Sequence, residues 1–91
     1  MFLVIAYDIV DDRRRRKIVE LMKNYGIRVN YSVFECRLKK KEYPALKKQI
    51  RDIINEKQDS IMYYDLCKRC IEKRDSDGIG RPFEPSGIIT V

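Results

Sequence analysis

The sequence predicts an α+β fold in which one antiparallel sheet carries two helices on one of its faces. Three observations lead there. Apolar, β-rich runs alternate with two helical stripes in the order β-α-β(β)-α-β. At 91 residues there is room for one domain and no more. A hydrophobic content of 44% belongs to a folded chain rather than a disordered one. The simplest assembly of these elements is a ferredoxin-like βαββαβ sandwich.

Residues 2–7 form a continuous apolar run that ends at Asp8. Both parities of this strand are apolar, so both of its faces need cover. Asp11 and Asp12 suit a helix N-cap. The helix that follows places Ile18, Leu21, Met22 and Tyr25 on one stripe with Val19 beside it, and Gly26 is placed as its C-terminal stop. Residues 28–38 are rich in β-branched and aromatic side chains. They fit either one long bent strand or two short strands joined by a very tight turn near residues 30–32. Lys39, Lys40 and Lys41 end that segment. A second helix is expected near Pro44, with the proline at the first helical position and Leu46, Ile50, Ile53 and Ile54 as the buried stripe. Residues 60–66 read as a strand, and residues 67–73 as a helical turn. Residues 75–87 carry three glycines and two prolines and read as irregular chain; residues 88–91 read as a short terminal strand. The expected division is a ferredoxin-like domain over 1–74 and a loop-and-strand tail over 75–91 that packs on a partner subunit.

Two helices cover only one side of such a sheet, while its first strand is apolar on both. A second copy of the chain is the economical cover, so a homodimer is expected. Lys and Arg number 20 against 14 Asp and Glu, a net charge of +6 that favours polyanionic partners such as nucleic acid. Histidine is absent, which removes the commonest general base and transition-metal ligand. Catalysis must then use carboxylates, a metal, Tyr, Cys or Lys. The first apolar run lacks a preceding basic region and is too short for a signal peptide or a membrane span, so a cytoplasmic protein with no membrane association is expected.

Asp8 closes a hydrophobic strand where the chain leaves the sheet. A lone aspartate there is commonly a loop anchor. A twofold dimer, however, can bring two copies together, and Mg²⁺ binds through one or two carboxylates with waters and phosphates completing its shell. Arg13, Arg14, Arg15, Arg16 and Lys17 crowd the start of the first helix, where the helix dipole prefers anions and like charges repel. Phosphate would compensate them. A solvated run neutralised by Asp8, Asp11, Asp12 and Glu20 is the equal alternative. Binding through such a run is electrostatic, weakly sequence-specific and steeply salt-dependent. Cys36, Cys67 and Cys70 are an odd set for a disulfide framework. Cys67 and Cys70 form a CxxC, for which packing with a turn is the default. Structural zinc wants four ligands, and thioredoxin-type redox chemistry wants a βαβ context.

Taken together, the Tyr7-Asp8-Ile9 end of the first strand, the Asp11-Asp12 pair before a basic helix start, and the box Tyr31-Ser32-Val33-Phe34-Glu35-Cys36 resemble the second core CRISPR-associated adaptation protein, Cas-two. The resemblance covers roughly residues 1–67. It implies a ferredoxin-like homodimer in which Asp8 binds Mg²⁺ or Mn²⁺ opposite its symmetry mate, and a metal-dependent endonuclease activity on RNA or DNA. It also implies a bridging role on the CRISPR integrase, Cas-one, during spacer acquisition. By match to the family, Tyr7, Arg15, Lys17, Arg28, Ser32 and Phe34 bear on activity. Lys17 stands where some members have Arg, which removes a planar phosphate contact. Two other functions fit the same residues. One is a non-catalytic DNA-binding adaptor for the integrase; the other is a toxin-type ribonuclease of the related virulence-associated family.

Overall fold

A computed structural model of the chain describes residues 1–75, 77 and 78. The elements are β1 (Phe2–Asp8), α1 (Asp12–Met22), β2 (Gly26–Asn30), β3 (Val33–Arg37), α2 (Glu42–Ile53), β4 (Ser60–Leu66) and α3 (Lys68–Glu72). The four strands form one antiparallel sheet in the order β2-β3-β1-β4, the ferredoxin-like arrangement expected. The expected tail strand over 88–91 lies outside the described residues.

Strand alternation sorts the sheet into two faces. Leu3, Ile5 and Tyr7 of β1 lie beside Cys36 and Phe34 of β3 and face the helices. Ile18 and Met22 of α1 and Leu46 and Ile50 of α2 close over them to make the core. Val19, Leu21, Tyr25, Ile53 and Ile54 pack around its margin.

The other parity carries Phe2, Val4 and Ala6 of β1, with Ile27, Val33, Met62 and Tyr64 on the neighbouring strands. Here Met62 is 52% and Tyr64 47% exposed. One end of this face is covered from within the chain. The Arg74 guanidinium lies 5.0 Å from the centre of the Phe2 ring and is ion-paired with Glu35. Among the described residues the remainder is an apolar surface open to solvent.

Local chemistry explains the departures from the expected boundaries. Asp11 caps α1, its carboxylate accepting from the Arg14 N–H at 2.9 Å, so the helix starts at Asp12. Gly26 does not stop α1, which ends four residues earlier; it opens β2. A Cβ on Gly26 would lie 1.9 Å from the Glu35 carbonyl oxygen, so what the position requires is close backbone approach, not a helix stop. The segment over 28–38 is two strands, not one. Tyr31 and Ser32 turn the chain, and the pairing register shifts between Arg28 and Asn30, which makes Val29 a bulge. Pro44 is the third helical residue of α2 rather than the first. The helix gains an extra start because Glu42 reaches back to accept from the Lys39 N–H at 2.6 Å. Pro44 is tolerated there because first-turn N–H groups have no partner inside the helix.

Gly26→Ala is expected to destabilise the protein by at least about 2 kcal/mol, since the clashing atoms are backbone and β2 must move away from β3. A lowered urea midpoint against wild type checks it.

Candidate functional site

β1 delivers two neighbouring side chains to opposite faces. Tyr7 turns into the core and Asp8, the last strand residue, is exposed on the parity of the open sheet face. Tyr7 is pinned at three points. Its N–H donates to the Ser32 carbonyl at 3.0 Å, and its hydroxyl donates to the Tyr31 carbonyl at 3.3 Å. Its ring centre lies 6.2 Å from that of Phe34. The end of β1 is thereby fastened to the β2–β3 turn, and Asp8 is held on rigid backbone.

Tyr7, Asp8, Ile9, Arg15, Tyr31 and Ser32 line an open cleft of about 380 Å³. Arg15 is fixed at its wall, one Nη donating to the Ile9 carbonyl at 2.8 Å and the other to the Asp12 carboxylate. A carboxylate, a guanidinium and an exposed tyrosine therefore share one opening. Asp8 is the sole carboxylate lining it, and no group of three or more Cys, Asp and Glu side chains able to hold a metal occurs among the described residues.

The basic run does not act as one patch. Arg14 is the first point of a helical row, Arg14-Ile18-Met22 at i, i+4, i+8, which turns it inward. Its Nε donates to Asp59 at 2.8 Å, and its terminal nitrogen reaches Asp59 and Gln58, both at 3.2 Å. Arg13, Arg16 and Lys17 line a different cleft of about 540 Å³ with Glu20 and Ile53. Arg28 sits in a third, of about 320 Å³, with Val29, Asn30 and Tyr31. Tyr31 therefore borders both the Arg28 and the Asp8 clefts. Phe34 is wholly buried and contributes through the packing of Tyr7.

Two residues outside the candidate set organise this region. Tyr31 is 83% exposed at the tip of the turn. In the sequence it is one more aromatic residue of a β-prone segment, for which packing in the core or at an interface is the default, so its exposure was not legible there. Asp59 gave no signal there either. Its buried side chain accepts from Val10 N–H at 3.0 Å, Asn55 N–H at 2.9 Å and the Arg14 guanidinium. It thus ties the loop after Asp8 to α1 and to the α2–β4 connection. The Arg14 guanidinium, seconded by the Asn55 and Val10 N–H groups, holds the Asp59 carboxyl well below the usual aspartate value of 3.8.

The fold and site define a class: small ferredoxin-like proteins with an exposed carboxylate closing the first strand, arginine beside it, and one sheet face left open. Within that class the chain belongs to the CRISPR associated protein Cas2 family, whose model matches residues 1–74. A relative from Synechocystis sp., named a CRISPR-associated endoribonuclease Cas2, is 45% identical over the whole of both chains. The crystal structure of Streptococcus pyogenes Cas2 superposes with a TM-score of 0.79 at 34% identity, covering 86% of this chain and 100% of that one. A chain in a partial Cas6-RT-Cas1–Cas2 complex matches with a TM-score of 0.72 at 33% identity, covering 89% and 93%.

Asp59→Asn is expected to cost about 2 kcal/mol, because an amide leaves one of the converging buried N–H groups without an acceptor. The folded-state pKa of Asp59 is depressed, so its contribution is complete above 3.8 and is lost as pH falls below that value. The stability gap between wild type and variant should therefore narrow on acidification from about pH 6 to about pH 3, as read from urea midpoints.

Proposed function

We propose that this chain acts in CRISPR adaptation as a homodimeric endonuclease that hydrolyses phosphodiester bonds in RNA or DNA, with Mg²⁺ or Mn²⁺ held at Asp8. One observation carries the reading: Asp8 stands exposed on rigid strand backbone in the same cleft as a fixed Arg15, in a chain of the Cas2 family. The endoribonuclease name of the Synechocystis relative supports phosphodiester hydrolysis as the reaction.

The donor chemistry fits a hard divalent cation. A carboxylate oxygen is the ligand such ions prefer, and Mg²⁺ needs only one or two from protein when phosphate and water complete its shell. Such a cation supplies an activated water and offsets charge on the scissile phosphate. The chain's own groups do the rest. Arg15 presents its guanidinium to phosphate oxygens, held in place by Ile9 and Asp12. Tyr31 offers an exposed ring on which a splayed base can stack, and Arg28 beside it meets the backbone on the far side. Tyr7, Ser32 and Phe34 keep Asp8 in position. Asp8 lies on the face that a second copy would cover, so a dimer through Val4, Ala6, Val33, Met62 and Tyr64 accounts both for the open apolar surface and for a paired carboxylate. The working compartment in this reading is the cytoplasm, and no membrane is involved. Among the described residues no helix is long and apolar enough to cross one.

A second reading has its own support. Arg13, Arg16 and Lys17 line a cleft that does not contain Asp8, suited to gripping a phosphate backbone without chemistry. The likeness to a chain assembled with Cas1 favours docking on the CRISPR integrase. An adaptor needs these cations and the dimer but not Asp8.

Asp8→Asn separates the two. Metal-dependent cleavage should fall by roughly a hundredfold or more, with fold, dimer and metal-free nucleic-acid binding retained. Cleavage equal to wild type would remove Asp8 from the reaction, and a wild-type chain that binds nucleic acid without metal-dependent cleavage would favour the adaptor reading. Tyr64→Glu, which puts a charge on the open face, should shift the protein toward monomer in sedimentation at micromolar concentration; an unchanged dimer would exclude this face as the interface.

A further inference from the structure

We infer that Cys67 and Cys70 are a reversible disulfide site, and that closing it locks α3 onto the open face of the sheet. The two thiols are free, exposed and already neighbours, with their Sγ atoms 3.5 Å apart. A disulfide needs the two sulfurs at about 2 Å, so the pair stands within about 1.5 Å of bonding distance. The fold bears out the context read from the sequence: β4 runs into Cys67, and α3 starts at the next residue, giving strand, CxxC and helix in succession. Cys36 provides the contrast. It is wholly buried and its thiol is pushed up to about 12 by that burial, so it stays unreactive.

The two thiols are not equivalent. The backbone N–H and thiol of Cys70 beside the Cys67 sulfur hold the Cys67 thiol below its ordinary value, while the neighbouring Cys67 sulfur raises that of Cys70. Cys67 is thus the attacking thiolate and Cys70 the resolving one. The oxidant is a small-molecule disulfide such as oxidised glutathione. The Cys67 thiolate attacks one of its sulfurs, forming a mixed disulfide and expelling the first glutathione thiolate. Cys70 then loses its proton to solvent and attacks the Cys67 Sγ, which expels the second. The chain gives up two electrons and two protons, and two glutathione thiols are produced.

What the bond would lock follows from the neighbours. α3 has five residues, too few to stand as a helix without support. It is held by Ile71, which is buried yet outside the main core cluster, and by Arg74 just beyond its end. Arg74 donates to the Ile71 carbonyl at 3.1 Å, pairs with Glu35 and lies over Phe2. Phe2 and Glu35 belong to the open face, so α3 supports a side chain that covers the end of that face. A covalent ring around the first turn of α3 removes conformations in which this segment is detached. Neither step involves Asp8.

The test equilibrates the full chain with mixtures of reduced and oxidised glutathione, quenches with acid, alkylates after unfolding and analyses peptides by mass. The expected product is a chain two hydrogens lighter, alkylated at Cys36 only, fully reversed by reduced glutathione. Cys70→Ser should stop at a mixed disulfide on Cys67. In the oxidised chain, amide exchange over 71–74 should slow by about tenfold or more relative to the reduced chain. Chains carrying only mixed disulfides, or a pair that never closes, would overturn the site. Protection of both thiols without loss of mass, with zinc retained by the purified protein, would overturn it in favour of metal. Closure with exchange over 71–74 unchanged would overturn the lock.

Discussion

β1 must be covered on two faces by a chain whose helices supply cover for one. It is the central strand, paired on both edges, and every residue from Phe2 to Tyr7 is apolar or aromatic. The helix face is settled within the subunit by Ile18, Met22, Leu46 and Ile50. Among the described residues the other face is covered at its Phe2 end, by an arginine stacked on the ring and paired with a carboxylate. There the guanidinium itself lies over the ring, and its charge is met by the Glu35 carboxylate rather than by water. What remains between β2 and β4 is, among the described residues, a largely apolar surface of the sort that protein interfaces are made from. The position of Asp8 follows from the same constraint, because it is the next residue of that parity beyond Ala6.

The end of β1 is built to be stiff. Tyr7 is fastened to the β2–β3 turn, Arg15 to the Ile9 carbonyl, and Asp59 to Val10, so the backbone on both sides of Asp8 is anchored to a different element. A carboxylate whose neighbours cannot shift keeps a defined geometry toward a ligand, which is the condition for useful electrostatics at a phosphate. Asp59 is central here. It is the buried anion that joins residues 10–14 to residues 55–59, two segments distant in sequence, and it takes one of the five clustered cations out of the surface charge.

Much of this was legible in the residues. The limits of β4 and the two-sided character of β1 were readable because continuous apolar runs leave few alternatives. The core stripes of both helices followed from their spacing. The hairpin remained open between two readings because its turn is formed by Tyr31 and Ser32 without glycine, and because the Val29 bulge disturbs the alternation that marks a strand. Gly26 was misplaced because a glycine after a helical stripe looks the same whether it stops a helix or admits a neighbouring backbone; only the distance to Glu35 distinguishes them. At the site, Asp8 and Arg15 were readable as residue types at suggestive places. The separate duties of Arg13, Arg14, Arg15 and Arg16 were only partly so. Helical phase places Arg14 inward, but its partner Asp59 lies 45 residues away and is brought there by tertiary structure alone.

The two borders of the sheet are unlike. β2 has five residues, a bulge and an exposed arginine, features that twist and charge an edge against pairing with another chain. β4 has seven residues in unbroken register with β1, and among the described residues its outer backbone groups meet no further strand. The sheet is thus polarised as a template: it can be lengthened on one side and is blunted on the other. A segment that extended it would meet fewer obstacles at β4 than at β2, and its register there would decide which of its own side chains join the apolar surface.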